Sequence, residues 1–160
     1  LRIYACHMDD KSKVNSEAVG NLLDREKQQG MDSLDIYRDF EKRVHRTKRE
    51  LLKFLISAHE QGKTVVGYGA PAKGNTLLNY CGVRTDLLDY TVDMAPSKQG
   101  TLLPGTRIPV YHPDRIAETR PDYILILPWN IKNEIMAGMS ATKDWGGKFL
   151  IPIPDVQVLD

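Results

Sequence analysis

The stretch Thr64-Val-Val-Gly-Tyr-Gly-Ala-Pro-Ala-Lys-Gly-Asn75 constrains the chain more than any other. A short β-branched apolar run breaks there into a glycine-rich turn and then into a helical pattern. Gly67, Gly69 and Ala72 match the G-x-G-x-x-G/A spacing of a strand–turn–helix phosphate cradle. Small residues in such a turn let backbone N–H groups approach a pyrophosphate, and the following helix directs its positive end at it. Pro71 suits the first helical position, where its missing N–H costs nothing. Lys73 adds a cation where phosphate charge would lie. The same glycines also fit a turn that only packs a helix closely against a strand.

From residue 63 onward the pattern alternates between β and α. Apolar runs predict strands over 64–68, 87–92, 108–111, 123–127 and 148–153, with helices over 71–80, 113–118 and 131–142. Nearly continuous apolar strands suit a parallel sheet covered on both faces. Right-handed crossovers then give an α/β fold, a Rossmann-like, doubly wound, mostly parallel sheet of about five strands.

The preceding residues are helical. Asn15 or Ser16 offers a cap for a helix carrying Val19, Leu22 and Leu23, which Gly30 ends. Asp32, with Asp35 three residues on, marks a second start. Tyr37, Phe40, Val44, Leu51, Leu55 and Ala58 then recur at helical spacing until Gln61-Gly62. Its other face carries Lys42, Arg46, Arg49 and Lys53, a solvated stripe or a docking face for an acidic neighbour. The reading is therefore a remnant of an upstream domain plus linker (1–14), a helical segment packed on the α/β domain (15–62), and the Rossmann-like domain (63–160). Leu1-Arg2-Ile3-Tyr4, with no initiator Met and no signal-peptide pattern, reads as the last strand of that upstream domain, and the chain as a fragment.

Composition narrows the function. Formal net charge is +1, so no long-range field favours nucleic acid or an anionic membrane. No apolar run is long enough to span a bilayer. Two cysteines, Cys6 and Cys81, and four scattered histidines form neither a disulfide framework nor a zinc-ligand spacing, and imply a reduced cytoplasmic setting.

In an open α/β sheet, ligands bind beyond the carboxyl ends of the strands. Four segments are expected there. The glycine turn is the first. Asp93 ends the second strand, either accepting hydrogen bonds from a ribose or serving as a turn residue before Met94-Ala95-Pro96. The loop of Ser97-Lys-Gln-Gly100 and Leu103-Pro-Gly-Thr-Arg107 offers Lys98, Gln99 and Thr106 as donors to anionic or sugar oxygens. Finally, Trp129 offers a flat face for a base or sugar, or a core position, while Asn130 suits a helix cap. No nucleophile–base–orienter set is apparent, so a binding module outranks a self-sufficient catalyst.

Five ordered motifs then converge: Tyr68-Gly-Ala-Pro-Ala-Lys-Gly-Asn75; Asp93 with Lys98-Gln-Gly100; Leu103-Pro-Gly-Thr106; Ile126-Leu-Pro-Trp-Asn130; and Trp145-Gly-Gly-Lys-Phe-Leu-Ile-Pro-Ile-Pro154. Together, over nearly the whole chain, they resemble the C-terminal domain of the S-adenosylmethionine-dependent sugar C-methyltransferases. The resemblance implies a platform for a nucleoside-diphosphate deoxysugar, dTDP-linked, working with a methyltransferase domain upstream in cis. It places Tyr68, Gly69, Ala70, Ala72, Lys73, Gly74 and Asn75 against that substrate. Asp93, Lys98, Gln99 and Gly100, then Gly105 and Thr106, then Trp129 and Asn130 are expected to complete the crevice. S-adenosylmethionine and zinc are expected in the domains absent here, with no cofactor bound by this chain. The family's Tyr-x-Glu-His motif is missing, since Tyr4-Ala-Cys-His7 lacks the glutamate, as is the cysteine-rich zinc motif. The chain is expected to bind and not to methylate. A nicotinamide-dinucleotide oxidoreductase domain and a non-catalytic interaction scaffold are the alternatives.

Overall fold

A computed structural model describes residues 2–160. The chain forms two compact units, one ending at Arg43 and the other running Val44–Asp160. The division falls inside a helix, well before the change of pattern at residue 63.

In the first unit, helix α1 spans Glu17–Gln28. Ser16 occupies the N-cap position in extended backbone, without a capping side-chain bond. Gly30, at φ 73°, turns the chain out of the helix. Helix α2 (Leu34–Glu60) begins two residues after Asp32, with Asp35 in its first turn. No residue of α1 is buried, and Val19, Leu23, Leu34, Tyr37 and Phe40 are exposed. The strand expected at the start is not seen: residues 2–4 carry no regular structure, and Leu1 lies outside the described residues.

The second unit contains the sheet. Its strands are β1 (Val65–Tyr68), β2 (Thr91–Val92), β3 (Val110–Tyr111), β4 (Tyr123–Ile126), β5 (Lys148–Ile151) and β6 (Gln157–Leu159), in the order β3-β2-β1-β4-β5-β6. All neighbours are parallel except β5 and β6. Helices α3 (Ala72–Cys81), α4 (Asp114–Thr119) and α5 (Lys132–Gly138) follow β1, β3 and β4. Strand order reverses between β1 and β4, so the loops leaving these two strands diverge to opposite sides. That divergence opens a crevice at the carboxyl end of the sheet.

Successive side chains on a strand point to opposite faces, and the core divides accordingly. Leu125, Leu127 and Leu150 join Leu77 and Leu78 of α3 and Leu51, Leu55 and Ala58 of α2. Ile124, Ile126, Phe149 and Ile151 join Ile116 of α4 and Ile135 of α5. Of the apolar stripe read from Tyr37 to Ala58, only Leu51, Leu55 and Ala58 form a buried core face. On the basic stripe of α2, Arg46 pairs with Asp155 at 2.9 Å; outside it, Lys48 donates to the Tyr80 carbonyl at 2.9 Å.

The sheet has six strands where five were expected. β6 is a three-residue antiparallel edge strand, too short to carry a period-two signal. Over 87–92 only Thr91–Val92 is strand. Leu88 is buried but lies just after the turn at 85–87, its N–H donating to Arg84 O at 3.0 Å. The helix read over 131–142 is interrupted: a 3-10 turn Trp129–Ile131 leads into α5, and a second 3-10 segment, Ser140–Trp145, follows it.

Candidate functional site: the cleft at the sheet's carboxyl end

The glycine turn leaves β1 as the spacing predicts, but its glycines answer to protein neighbours. A Cβ on Gly69, at φ 89°, would lie 2.6 Å from Pro128 Cδ. On Gly74 it would lie 2.7 Å from Leu127 Cβ, so this glycine lets α3 lie close on β4. Pro71 is the N-cap of α3 and not its first helical residue. Asn75 donates its N–H back to Pro71 O at 3.0 Å, and its carbonyl accepts from Asn79 Nδ2 at 2.9 Å.

Asp93 sits directly after β2 and organises the turn. One carboxylate oxygen accepts from Ala95 N at 2.8 Å, closing the loop 93–95. The other accepts from Ala70 N at 2.7 Å and from Lys98 Nζ at 3.0 Å. Burial by itself would raise the Asp93 carboxyl, but the Ala95 and Ala70 N–H bonds and the Lys98 ammonium outweigh it and hold it below the ordinary range. Lys98 also donates to Ala70 O at 3.1 Å, and Gln99 Nε2 donates to Asp93 O at 2.9 Å. Two of the three donors read for ligand oxygens, Lys98 and Gln99, are therefore engaged within the protein. Gly100, at φ 76°, sends its N–H to Val110 O at 2.9 Å.

A second group lies at the start of α3. Lys73 Nζ donates to Asn130 Oδ1 and sits 4.6 Å from the centre of the Trp129 ring. The face of Trp129 is thus shared with a cation. Asn130 does not cap α5: it lies inside the 3-10 turn, and Ile131 takes the cap position. Ala72 and Lys73 remain exposed.

Gly105 and Thr106 are not in this neighbourhood. Their loop packs on the last turn of α3, where Asn79 Nδ2 donates to Pro104 O at 3.0 Å and Arg84 donates to Gly105 O. Thr106 is 2% exposed, and its Oγ1 has no partner. The 101–110 segment folds back through a Leu102–Pro109 bridge, which carries its tip away from the strand ends.

The crevice itself is a cleft of about 760 Å³, within the range of small-molecule sites. Tyr68, Gly69 and Asp93 of the expected residues line it, together with Pro71 and Pro128. Burial, and then the Asp93 charge, pushes the Tyr68 hydroxyl above its ordinary value. The opposite walls were not read from the sequence. They come from Asp114 and Ala117 of α4, from Glu134 and Gly138 of α5, and from Thr142 and Trp145 beyond it. The usable signal was the run Gly138-Met-Ser-Ala141, small residues closing a helix just before a tryptophan.

Cys6 and Cys81 are both free thiols, one exposed and one buried. Among the described residues no three His, Cys, Asp or Glu side chains converge to hold a metal. No helix there is long and apolar enough to cross a membrane.

A mostly parallel, doubly wound sheet with a glycine turn and a cleft where strand order reverses defines a Rossmann-like domain. Comparison with known proteins makes this specific. The family described as C-methyltransferase C-terminal domain matches residues 1–154, and the chain belongs to that family. The C-methyltransferase NovU of Streptomyces niveus is 38% identical over 142 residues, covering 89% of this chain and 34% of that relative. The chain therefore spans about a third of the relative's length. Among solved structures, the UDP-D-quinovosamine 4-dehydrogenase of Vibrio fischeri aligns over 58% of this chain and 79% of its own, at 22% identity and a TM-score of 0.43.

Proposed function

We propose that this chain is the nucleotide-sugar platform of an S-adenosylmethionine-dependent sugar C-methyltransferase, and that it carries a dTDP-linked deoxysugar. The observation that carries this reading is the cleft, set at the strand ends of a chain from the C-methyltransferase C-terminal domain family. The whole enzyme would form a carbanion beside a sugar ketone and attack the donor's methyl group. The methyl donor, the zinc and the catalytic groups would reside in domains outside this chain, working in the reducing cytoplasm. This domain's part is positioning: holding the carrier so that the reacting carbon meets the donor.

Tyr68, Gly69 and Asp93 line the cleft, and in this reading they face the ligand. Ala70, Ala72 and Gly74 shape the turn and the start of α3, where Lys73, with Trp129-Asn130 beside it, serves the diphosphate; Asn75 turns toward Asn79 along the helix. Lys98 and Gln99 act through Asp93, and Gly100 shapes the loop that carries them. Gly105 and Thr106, packed on the far turn of α3, have no part in it.

The dinucleotide reading is weaker for a specific reason. The acid that would receive a ribose is committed to Ala70, Ala95 and Lys98. Calorimetric titration with dTDP, UDP, NAD and S-adenosylmethionine tests the assignment. Binding of dTDP, without NAD or S-adenosylmethionine, is the expected result. NAD binding in place of dTDP would return the chain to the oxidoreductase class, and no binding at all would leave the scaffold reading standing and move the same titration to the full-length protein.

A further inference from the structure

The lining of the cleft is sorted by charge. Its charged residues are Asp93, Asp114 and Glu134, all acidic, and no Lys, Arg or His is among its described lining residues. Two basic groups beside it are already engaged: Lys98 pairs with Asp93, and His112 Nδ1 lies 3.2 Å from one Asp114 carboxylate oxygen, leaving the other as acceptor. The glycine turn, where a phosphate would be expected to bind, already holds an anion, because Ala70 N–H is taken by the Asp93 carboxylate. Most of the remaining lining is apolar and suited to a ring face, including Met94, Ile131, Met139 and Trp145. The indole N–H of Trp145 is tied to Pro121 O at 3.0 Å, which leaves its ring as apolar surface. In the wall, fully buried Thr142 carries an Oγ1 without a partner.

Ionised carboxylates accept hydrogen bonds and cannot donate them. A diphosphate entering this cleft would exchange its hydration for acceptors of its own sign, which disfavours burial. A neutral ring bearing O–H or N–H groups meets the opposite situation: its faces find apolar surface and its donors find carboxylates. We infer that the cleft takes the uncharged ring end of the ligand and excludes its phosphates, with Asp114 and Glu134 as the specificity-determining acceptors. This rests on the platform reading and deepens it. The diphosphate then lies outside the cleft, on the side of Lys73. Two parts of a nucleotide-sugar share the required chemistry, the nucleoside and the deoxyhexose.

The test follows backbone amide shifts of the chain during titration with thymidine, a methyl deoxyhexoside and inorganic pyrophosphate, each alone. One of the two neutral compounds is expected to shift the amides of Ala117, Gly138 and Met139 saturably, and which one does so identifies the ring. Pyrophosphate is expected to leave those amides unmoved. Asp114→Asn with Glu134→Gln, both exposed and nearly isosteric, is expected to weaken the neutral ligand by about tenfold. Pyrophosphate shifts within the cleft, or neutral rings that leave it untouched, overturn the inference. If dTDP still binds in that second case, the platform reading survives alone. If dTDP also fails, both fall.

Discussion

The Asp93 carboxylate accepts the Ala70 N–H at 2.7 Å, so the glycine turn leaving β1 is closed by an acid from the end of β2. This bond joins two strand ends across the sheet and brings Lys98 in behind them. A phosphate approaching the turn would compete with a carboxylate that is already bound.

Removing that carboxylate leaves two backbone donors and an ammonium without their acceptor. Asp93→Ala is expected to lower unfolding free energy by about 1–3 kcal/mol at neutral pH, read by urea denaturation.

The same residue sets an acid dependence. Its carboxyl is held below the ordinary value of about 3.9. A depressed native value means the unfolded chain takes up the proton first. The contribution is thus complete above the ordinary value and is lost as pH falls through the native one. Denaturation series between roughly pH 6 and pH 2 should show a steeper loss for the parent chain than for Asp93→Asn. Parallel curves would show that Asp93 is not the group responsible.

Gly74 separates packing from helix propensity. Alanine is favoured over glycine in a helix by about 1 kcal/mol, yet here its Cβ would lie 2.7 Å from Leu127 Cβ. Gly74→Ala should therefore destabilise, by about 1–3 kcal/mol. Gly20→Ala on exposed α1, where the added Cβ meets nothing within 4 Å, should be neutral or raise helicity by circular dichroism.

Leu55 is fully buried in the cluster beneath α2. Leu55→Ala should cost about 2–5 kcal/mol by chemical denaturation. A chain shortened to begin at residue 63 exposes the surface that Leu51, Leu55 and Ala58 cover, and is expected to lose its cooperative thermal transition.

Lys73 tests the platform reading at its charged end. Its side chain is exposed, so Lys73→Ala should leave the thermal midpoint in place while weakening dTDP binding by about tenfold. Unchanged affinity with an intact transition would remove Lys73 from the site.

Much of the architecture was legible because it follows from short-range physics. Apolar runs at 64–68, 123–127 and 148–153 read as strands, and each contains one, at Val65–Tyr68, Tyr123–Ile126 and Lys148–Ile151. The spacing of Leu51, Leu55 and Ala58 required a helix with one dry face. The glycine turn had to join a strand to a helix, and it does. Where signals were weak or non-local, reading stopped short: β6 is three residues long, and Leu88 is buried without being in a strand.

The sequence by itself determined the alternation of β and α, the turn after β1 and the apolar face of α2, because periodicity and glycine geometry act over a few residues. Only the tertiary structure decided what those pieces do to one another. Asp93 finds Ala70, and Lys98 turns inward, because parallel pairing of β1 with β2 brings their ends together. Gly105 and Thr106 leave the crevice because their loop folds back onto α3. The cleft draws its acidic and apolar walls from α4, α5 and the segment beyond, which no local pattern links to the glycine turn. Chain closure assigns the partners of each polar group, and closure is a property of the whole fold.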